Sequence, residues 1–398
     1  MRQHPTALPS AWPIAGGHAS VALVVGSLAS AGIARHVEAL ARGLGAGRHR
    51  VHVYVLEDAP AGMAERLAAR NVPLTVLPRR RPYEPGRVMA LTRALKRDGI
   101  DLVHAILPAG AAYGAIAARL AGVPIVIVST RAGDPPEQRR VRTLLHRIYR
   151  NATALTANTQ AQARQLAAEA QVPVERVQVI YDGVDLTRHP LPGMLDGIRE
   201  RVWHRPLVVG GAGRTAGSRL SFLAAATLIA ARHPDIRFVW LEDGATLSGN
   251  GHEAFAERPA GLPLSTVAVG DDPEPVLAQL AVLCLTGDAF DLVPSALAAG
   301  RPIVTVAAPG VDELVTDGTT GKVVAAGDPG AFAEAALSFI EDRSRLRAAG
   351  QAARAHAVRV LGADLMVRAT TALYEATLLG RPSPAPDVQR AHVAVPGH

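Results

Sequence analysis

Twice along this chain, short apolar runs rich in Val, Ile and Leu alternate with segments whose apolar residues recur at helical spacing. In the first series the strand-like runs are 21–25, 51–56, 101–106, 124–128 and 177–180. The helical patterns between them fall at 33–44, 85–96, 109–120, 137–150 and 160–170. In the second series the strand-like runs are 207–210, 237–241, 266–269, 282–286 and 302–306, with helices at 217–232, 273–280, 294–299 and 329–340. Near-continuous apolar runs mark strands buried on both faces, and strands alternating with helices join as parallel crossovers. The pattern predicts an α/β chain of two Rossmann-like parallel-sheet domains facing across a cleft.

Boundaries follow from the breakers. An extension covers 1–18 and the first domain 19–190. A linker occupies 191–202, beside the Pro/Gly-rich stretch 189–197, and the second domain covers 203–362. A C-terminal helix follows at 363–380, for which packing back on the first domain is one arrangement. The tail 381–398 carries four prolines and is expected to be disordered, and the glycine-rich stretch 245–263 to be a mobile loop.

Composition narrows the functional classes. With 398 residues, 48% hydrophobic and 19% charged, the chain has a globular balance and room for two cores. Aromatics are 4%, so those cores must be built from Ala, Val and Leu. Cys284 is the single cysteine, which excludes a disulfide framework and fits a reducing compartment. The apolar run 19–31 follows Pro5, Pro9 and Pro13 and divides into a strand-like half and a glycine turn. It therefore reads as a first strand rather than a signal peptide. No run reaches the length of a membrane-spanning helix.

A net charge of +7 suits nucleic acid, an anionic membrane or anionic substrates. Finger spacings and aromatic-plus-basic strand motifs are missing, so no nucleic-acid partner is expected. The basic stretch from Arg139 to Arg150 is an amphipathic helix with two open readings: a solvated face, or docking on anionic lipid headgroups. The 14 histidines show no paired His/Cys spacing, and no metal site is expected.

Residues 294–328 run Pro-Ser-Ala-Leu-Ala-Ala-Gly-Arg-Pro-Ile-Val-Thr-Val-Ala-Ala-Pro-Gly-Val-Asp-Glu-Leu and on through Asp317-Gly318 to Gly-Asp. The order is a short helix, Gly300, a buried strand, a turn at Gly310, a helical turn through Glu313 and a turn at Gly318. This segment resembles the C-terminal half of family-four retaining glycosyltransferases, sugar-nucleotide enzymes of the GT-B fold. Ala31-Gly32-Ile33-Ala34-Arg35 is similar to the family's Gly-Gly-x-Glu-Arg loop, without its glutamate. Gly213-Arg214 to Arg219 is similar to its Gly-Arg-x-x-x-x-Lys loop, with Arg219 for the lysine. Thr130-Arg131-Ala132-Gly133 stands for its Thr-His-Gly, and Asp182-Gly183-Val184-Asp185 for its Asn-Gly-Val-Asp. The likeness extends over about residues 19–378.

On this resemblance the first domain is the acceptor side and the second the nucleotide-sugar side. Arg214 and Arg219 hold the donor diphosphate, through the bidentate geometry that suits guanidinium to phosphate. Gly32 lets a ligand approach the backbone, Gly270 lies in the loop near the nucleotide base, and Arg131 meets an acidic sugar or acceptor phosphate. The family carries a pair of glutamates, one before a Gly/Pro-rich loop and one inside the next helix. Here Asp288 takes the first place as the catalytic residue and Ser295 the second, with Asp291 between them. Replacing a charge-assisted hydrogen bond to the ribose by one from serine costs ~1.5–3 kcal/mol of donor binding.

The expected function is transfer of a sugar, with retention, from a nucleoside-diphosphate sugar to a lipid-linked or polysaccharide acceptor in cell-envelope or exopolysaccharide synthesis. No cofactor or metal is implied. The place of action is cytoplasmic, with the inner membrane face as a docking surface. The alternative is a catalytically degenerate nucleotide-sugar-binding or scaffold protein supporting an active partner protein; a sugar-nucleotide epimerase of similar fold is a third.

Overall fold

The computed structural model describes residues 19–77, 85–131, 139–188, 206–243, 259, 261–269, 272–285 and 289–381. The expected linker, most of the glycine-rich stretch and the tail beyond Arg381 lie outside the described residues. The chain forms two compact units. One holds Met1–Leu28, Val37–Tyr181 and Asp364–His398; the other holds Ala29–His36 and Asp182–Ala363.

In the first unit, strands β1 (Ser20–Val25), β2 (Arg50–Val55), β3 (Leu74–Val76), β4 (Leu102–Ile106), β5 (Ile125–Thr130), β6 (Ala154–Ala157) and β7 (Val177–Val179) form one sheet in the order β3-β2-β1-β4-β5-β6-β7. Every pairing is parallel, with Val21 opposite Val51 on one side and Leu102 on the other. β1 is buried along almost its whole length, which makes the strand-like half of the 19–31 run a central strand. Helices α1 (Ala31–Ala46), α2 (Met63–Ala68), α3 (Pro85–Arg97), α4 (Leu107–Ala121), α5 (Arg139–Asn151) and α6 (Gln160–Ala170) make the crossovers. The first two turns of α1 are counted with the second unit.

The helix boundaries have local causes. Thr159 caps α6 by accepting from the Gln162 amide at 3.0 Å, and Gln171 ends it in the left-handed region at φ 54°. α4 packs against β1 through small residues: a Cβ on Gly110 would lie 2.5 Å from the Val24 carbonyl oxygen.

The second unit repeats the plan. Strands β8 (Val208–Ala212), β9 (Arg237–Asp243), β10 (Leu264–Val269), β11 (Val282–Leu285), β12 (Ile303–Val306) and β13 (Gly321–Val324) pair in parallel in the order β10-β9-β8-β11-β12-β13. Its helices are α7 (Ala216–Arg232), α8 (Glu274–Leu277), α9 (Val293–Ala298), α10 (Val311–Leu314), α11 (Pro329–Ile340) and α12 (Arg343–Val360). Phe222, Phe238, Trp240, Phe332 and Phe339 are buried together in its core. Cys284 lies in β11 within the same core, and burial pushes its thiol up to about 12, so it carries no nucleophilic chemistry. Gly300, Gly310 and Gly318 all have left-handed φ (65°, 84° and 73°), the conformations expected of glycine turns around α9, β12 and α10.

Helix α13 (Ala363–Leu378) returns to the first unit. The hydroxyl of Tyr374 lies 2.6 Å from His104 Nδ1 in β4, and His104 Nε2 lies 2.5 Å from Ser129 Oγ in β5. Ser129 in turn bonds Thr156 in β6. A polar thread thus ties three strands to the last helix inside the apolar core.

Candidate functional site

Strand order reverses at β8 in the second unit, because its two neighbours, β9 and β11, continue in opposite directions across the sheet. In open parallel sheets such a switch point leaves a crevice beyond the carboxyl ends of the strands. Here β8 runs out into Ala212-Gly213-Arg214, and Thr215 caps α7 by accepting from the Ser218 amide at 3.1 Å. The segment after β11 re-enters the described structure at Ala289 and forms the short 3-10 turn Phe290–Leu292. The crevice between them encloses about 340 Å³ counted out to its open mouth. Leu241 and Val269, at the ends of β9 and β10, give it apolar lining, and Ala31 and Arg35 of the 29–36 segment line it as well.

The charged groups converge there. Arg214 Nη2 lies 2.9 Å from Asp291 Oδ1 and donates to Ser30 Oγ at 3.2 Å. Gly32 explains how Asp291 fits: a Cβ on Gly32 would stand 2.1 Å from Asp291 Oδ2, so a glycine is needed beneath that carboxylate. The ion pair is partly exposed, 30% at Arg214 and 14% at Asp291. Such a pair holds its partners weakly, by ~1 kcal/mol or less.

Of the residues read from sequence, the structure brings Arg214, Asp291 and Gly32 together. Arg219 stands outside the crevice. One turn along α7 it is buried to 4%, 4.0 Å from the equally buried Glu242, with its guanidinium 6.0 Å from the Trp240 ring centre. Ser295 is buried inside α9 and is not part of the crevice lining. Arg131 belongs to the first unit, buried at the carboxyl end of β5. Asp288 and Gly270 lie outside the described residues, Asp288 immediately before Ala289.

Two features were not read from the sequence. Arg35 lines the crevice, and among the described residues neither of its terminal nitrogens has a hydrogen-bond partner although both are buried. The helical spacing of 31 and 35 puts these residues on one face, but it gives no sign that this face meets β8. Beyond the end of β10, the carboxyls of Asp272 and Glu274 interact directly. Burial, then the hydrogen bond to Asp272, pushes the Glu274 carboxyl up to about 7, and that same hydrogen bond holds Asp272 below the usual carboxylate range. Arg188 lies 3.3 Å from Asp272. The 182–185 turn is pinned as well. His36 Nδ1 lies 3.1 Å from Asp182 Oδ1, and the Val184 amide donates to the Leu361 carbonyl at 2.7 Å.

Residues 30–188 match the family model for Glycosyltransferase Family 4, and residues 207–342 that for Glycosyl transferases group 1. The D-inositol 3-phosphate glycosyltransferase 1 of Catenulispora acidiphila is 30% identical over 290 residues, which covers 65% of this chain and 68% of that relative. The chain is a family 4 glycosyltransferase.

Solved structures carry the same two-domain GT-B fold. The Anabaena Alr3699/HepE complex with UDP-glucose superposes with a TM-score of 0.73 at 19% identity, over 88% of this chain and 98% of that one. The sucrose-phosphate synthase of Thermosynechococcus elongatus gives 0.70 at 15% identity, over 89% and 98%. Among the described residues of this family 4 chain, no helix is long and apolar enough to cross a membrane.

Proposed function

We propose that the chain transfers a sugar, with retention, from a nucleoside-diphosphate sugar to a hydroxyl of a lipid-linked or polysaccharide acceptor. The observation that carries this reading is the pairing of Arg214 with Asp291 at the switch point of the second sheet. A cation held by a weak, partly exposed carboxylate at that crevice is ready to exchange it for a phosphate. The UDP-glucose complex of the HepE relative in fold supports the donor class.

In this reading Arg214 holds the donor diphosphate, and its charge offsets the negative charge that grows on the leaving group. Asp288, adjoining the crevice in sequence, orients the sugar. The acceptor hydroxyl attacks the anomeric carbon from the leaving-group side as the bond to the diphosphate oxygen breaks. A donor phosphate oxygen takes the hydroxyl proton, so the products are the glycoside and the nucleoside diphosphate. No metal is assigned a role, and turnover is expected to survive EDTA.

Two observations bear on the acceptor. The net charge of +7 and the amphipathic α5 support an acceptor at an anionic surface. The inositol phosphate named for the Catenulispora relative favours a second reading, a small phosphorylated polyol. The test is product analysis with UDP-sugars against both acceptor classes, with the anomeric configuration read by NMR. Arg214→Ala is expected to cut kcat/KM for the donor by roughly a hundredfold. Inversion at the anomeric carbon would refute retention. No turnover and no binding across a broad donor panel would leave a scaffold role.

A further inference from the structure

Arg35 is the group in the crevice that the reading above leaves without a task. It lies one helical turn after Ala31, and both residues line the crevice with Gly213, Arg214 and Asp291. Arg214 has a carboxylate at 2.9 Å and a serine hydroxyl at 3.2 Å. Arg35 has neither: its Nη1 and Nη2 are buried and, among the described residues, without a hydrogen-bond partner. A guanidinium is charged at any physiological pH and presents a planar fork of donors. Burying that fork unpaired is costly, so it is retained where it serves something else.

The surrounding charges define that something. Among the described residues, two guanidinia and one carboxylate, Asp291, line the crevice, leaving one positive charge in excess. Asp272 feels the field of Arg35, but it is exposed and engaged by Arg188 and Glu274. The excess charge, the unpaired fork and the partly exposed ion pair together suit a ligand with several anionic oxygens.

The geometry points to Arg35 as a second diphosphate-binding residue, which with Arg214 grips the diphosphate of the donor in the crevice. This rests on the proposed donor reading and adds to it a binding residue 179 positions from Arg214 in sequence. This grip takes over the part assigned by sequence to Arg219, which is buried against Glu242.

Isothermal titration of the full chain with UDP and with inorganic pyrophosphate tests it, using Arg35→Ala, Arg35→Lys and Arg214→Ala. Arg35→Ala is expected to weaken both probes roughly tenfold to a hundredfold, the loss of one or two charge-assisted hydrogen bonds. Arg35→Lys keeps the charge without the fork and is expected to fall between. Arg35→Met keeps the stem and removes the buried charge, so its Tm is expected to equal or exceed that of the native chain while binding falls. If Arg214→Ala weakens UDP and Arg35→Ala leaves it within twofold, the Arg35 assignment fails and the donor site stands. If neither substitution changes the binding of UDP, the donor site fails too. If Arg35→Ala spares UDP but weakens inositol phosphate, the anion at Arg35 belongs to the acceptor, and the assignment is overturned. A lowered Tm for Arg35→Met with unchanged binding also overturns it, since Arg35 would then be structural.

Discussion

The two sheets have the same plan and treat their switch points differently. In the first unit the reversal lies between β1 and β4, and it is closed by small residues. A Cβ on Gly26 would lie 2.9 Å from Ala109 Cβ, and one on Gly114 would lie 3.2 Å from Ala105 Cβ. Leu107, at the start of α4, sits in the left-handed region at φ 68°, a strained conformation for a bulky residue. In the second unit the reversal between β8 and β11 holds Arg214, Asp291 and Arg35 around an open crevice. Strand order therefore supplies the location twice, and the side chains decide which copy can hold an anion.

Three substitutions set this contrast at risk. The largest effect is expected from Gly110→Val, because the new side chain would meet the Val24 carbonyl, which belongs to a central strand and cannot withdraw. It should cost about 3 kcal/mol or more, read as a lowered first transition in calorimetry. A cost near zero would mean that the first switch point is not tightly closed.

Gly32→Ala makes the matching insertion in the second unit. The nominal clash with Asp291 is 2.1 Å to Oδ2 and 2.5 Å to Cβ, so the short turn that carries Asp291 must shift along with its carboxylate. The expected cost is about 1–2 kcal/mol, below that of Gly110→Val because the obstacle is a turn and not a central strand. A loss equal to that of Gly110→Val would remove the distinction between a closed and an adaptable crevice.

The smallest and most conditional effect is at Glu274. Its folded pKa, about 7, stands above the ordinary value of 4.5. The folded state therefore holds the proton more tightly than the unfolded one. The stability this provides is fully present below the ordinary value and is lost as pH rises through about 7. Glu274→Gln should flatten the stability profile across that window and leave the second unit more stable than native above it. An unchanged profile in a Tm-versus-pH series would show that Glu274 does not hold its proton more tightly in the folded state.

Much of the fold was legible because its strands are long apolar runs. α6 and α11 fall on the boundaries that the sequence pattern assigns, and α13 starts where the pattern places it. The misses have a common cause. β3 (Leu-Thr-Val), β6 (Ala-Leu-Thr-Ala) and β13 (Gly-Lys-Val-Val) are three or four residues long, too short for a periodic signal. They exist because a neighbouring strand offers them a ladder. The site was half legible for a related reason. Arg214 follows a strand end, which a local pattern can show. Arg35 meets it only because a segment from the start of the chain belongs with the second unit, and no local pattern carries that information. Arg219 is the converse: the motif spacing named it, but helix phase turned it toward Glu242 and Trp240.

The hydroxyl of Tyr374 on His104 gives the chain an order of assembly. β1 through β7 leave the ribosome well before α13, so the first sheet must wait through synthesis of the whole second unit for the helix that completes its polar thread. Nascent chains are thus exposed longest at the place on β4 where α13 will seat, and that surface is where a chaperone would have most to protect.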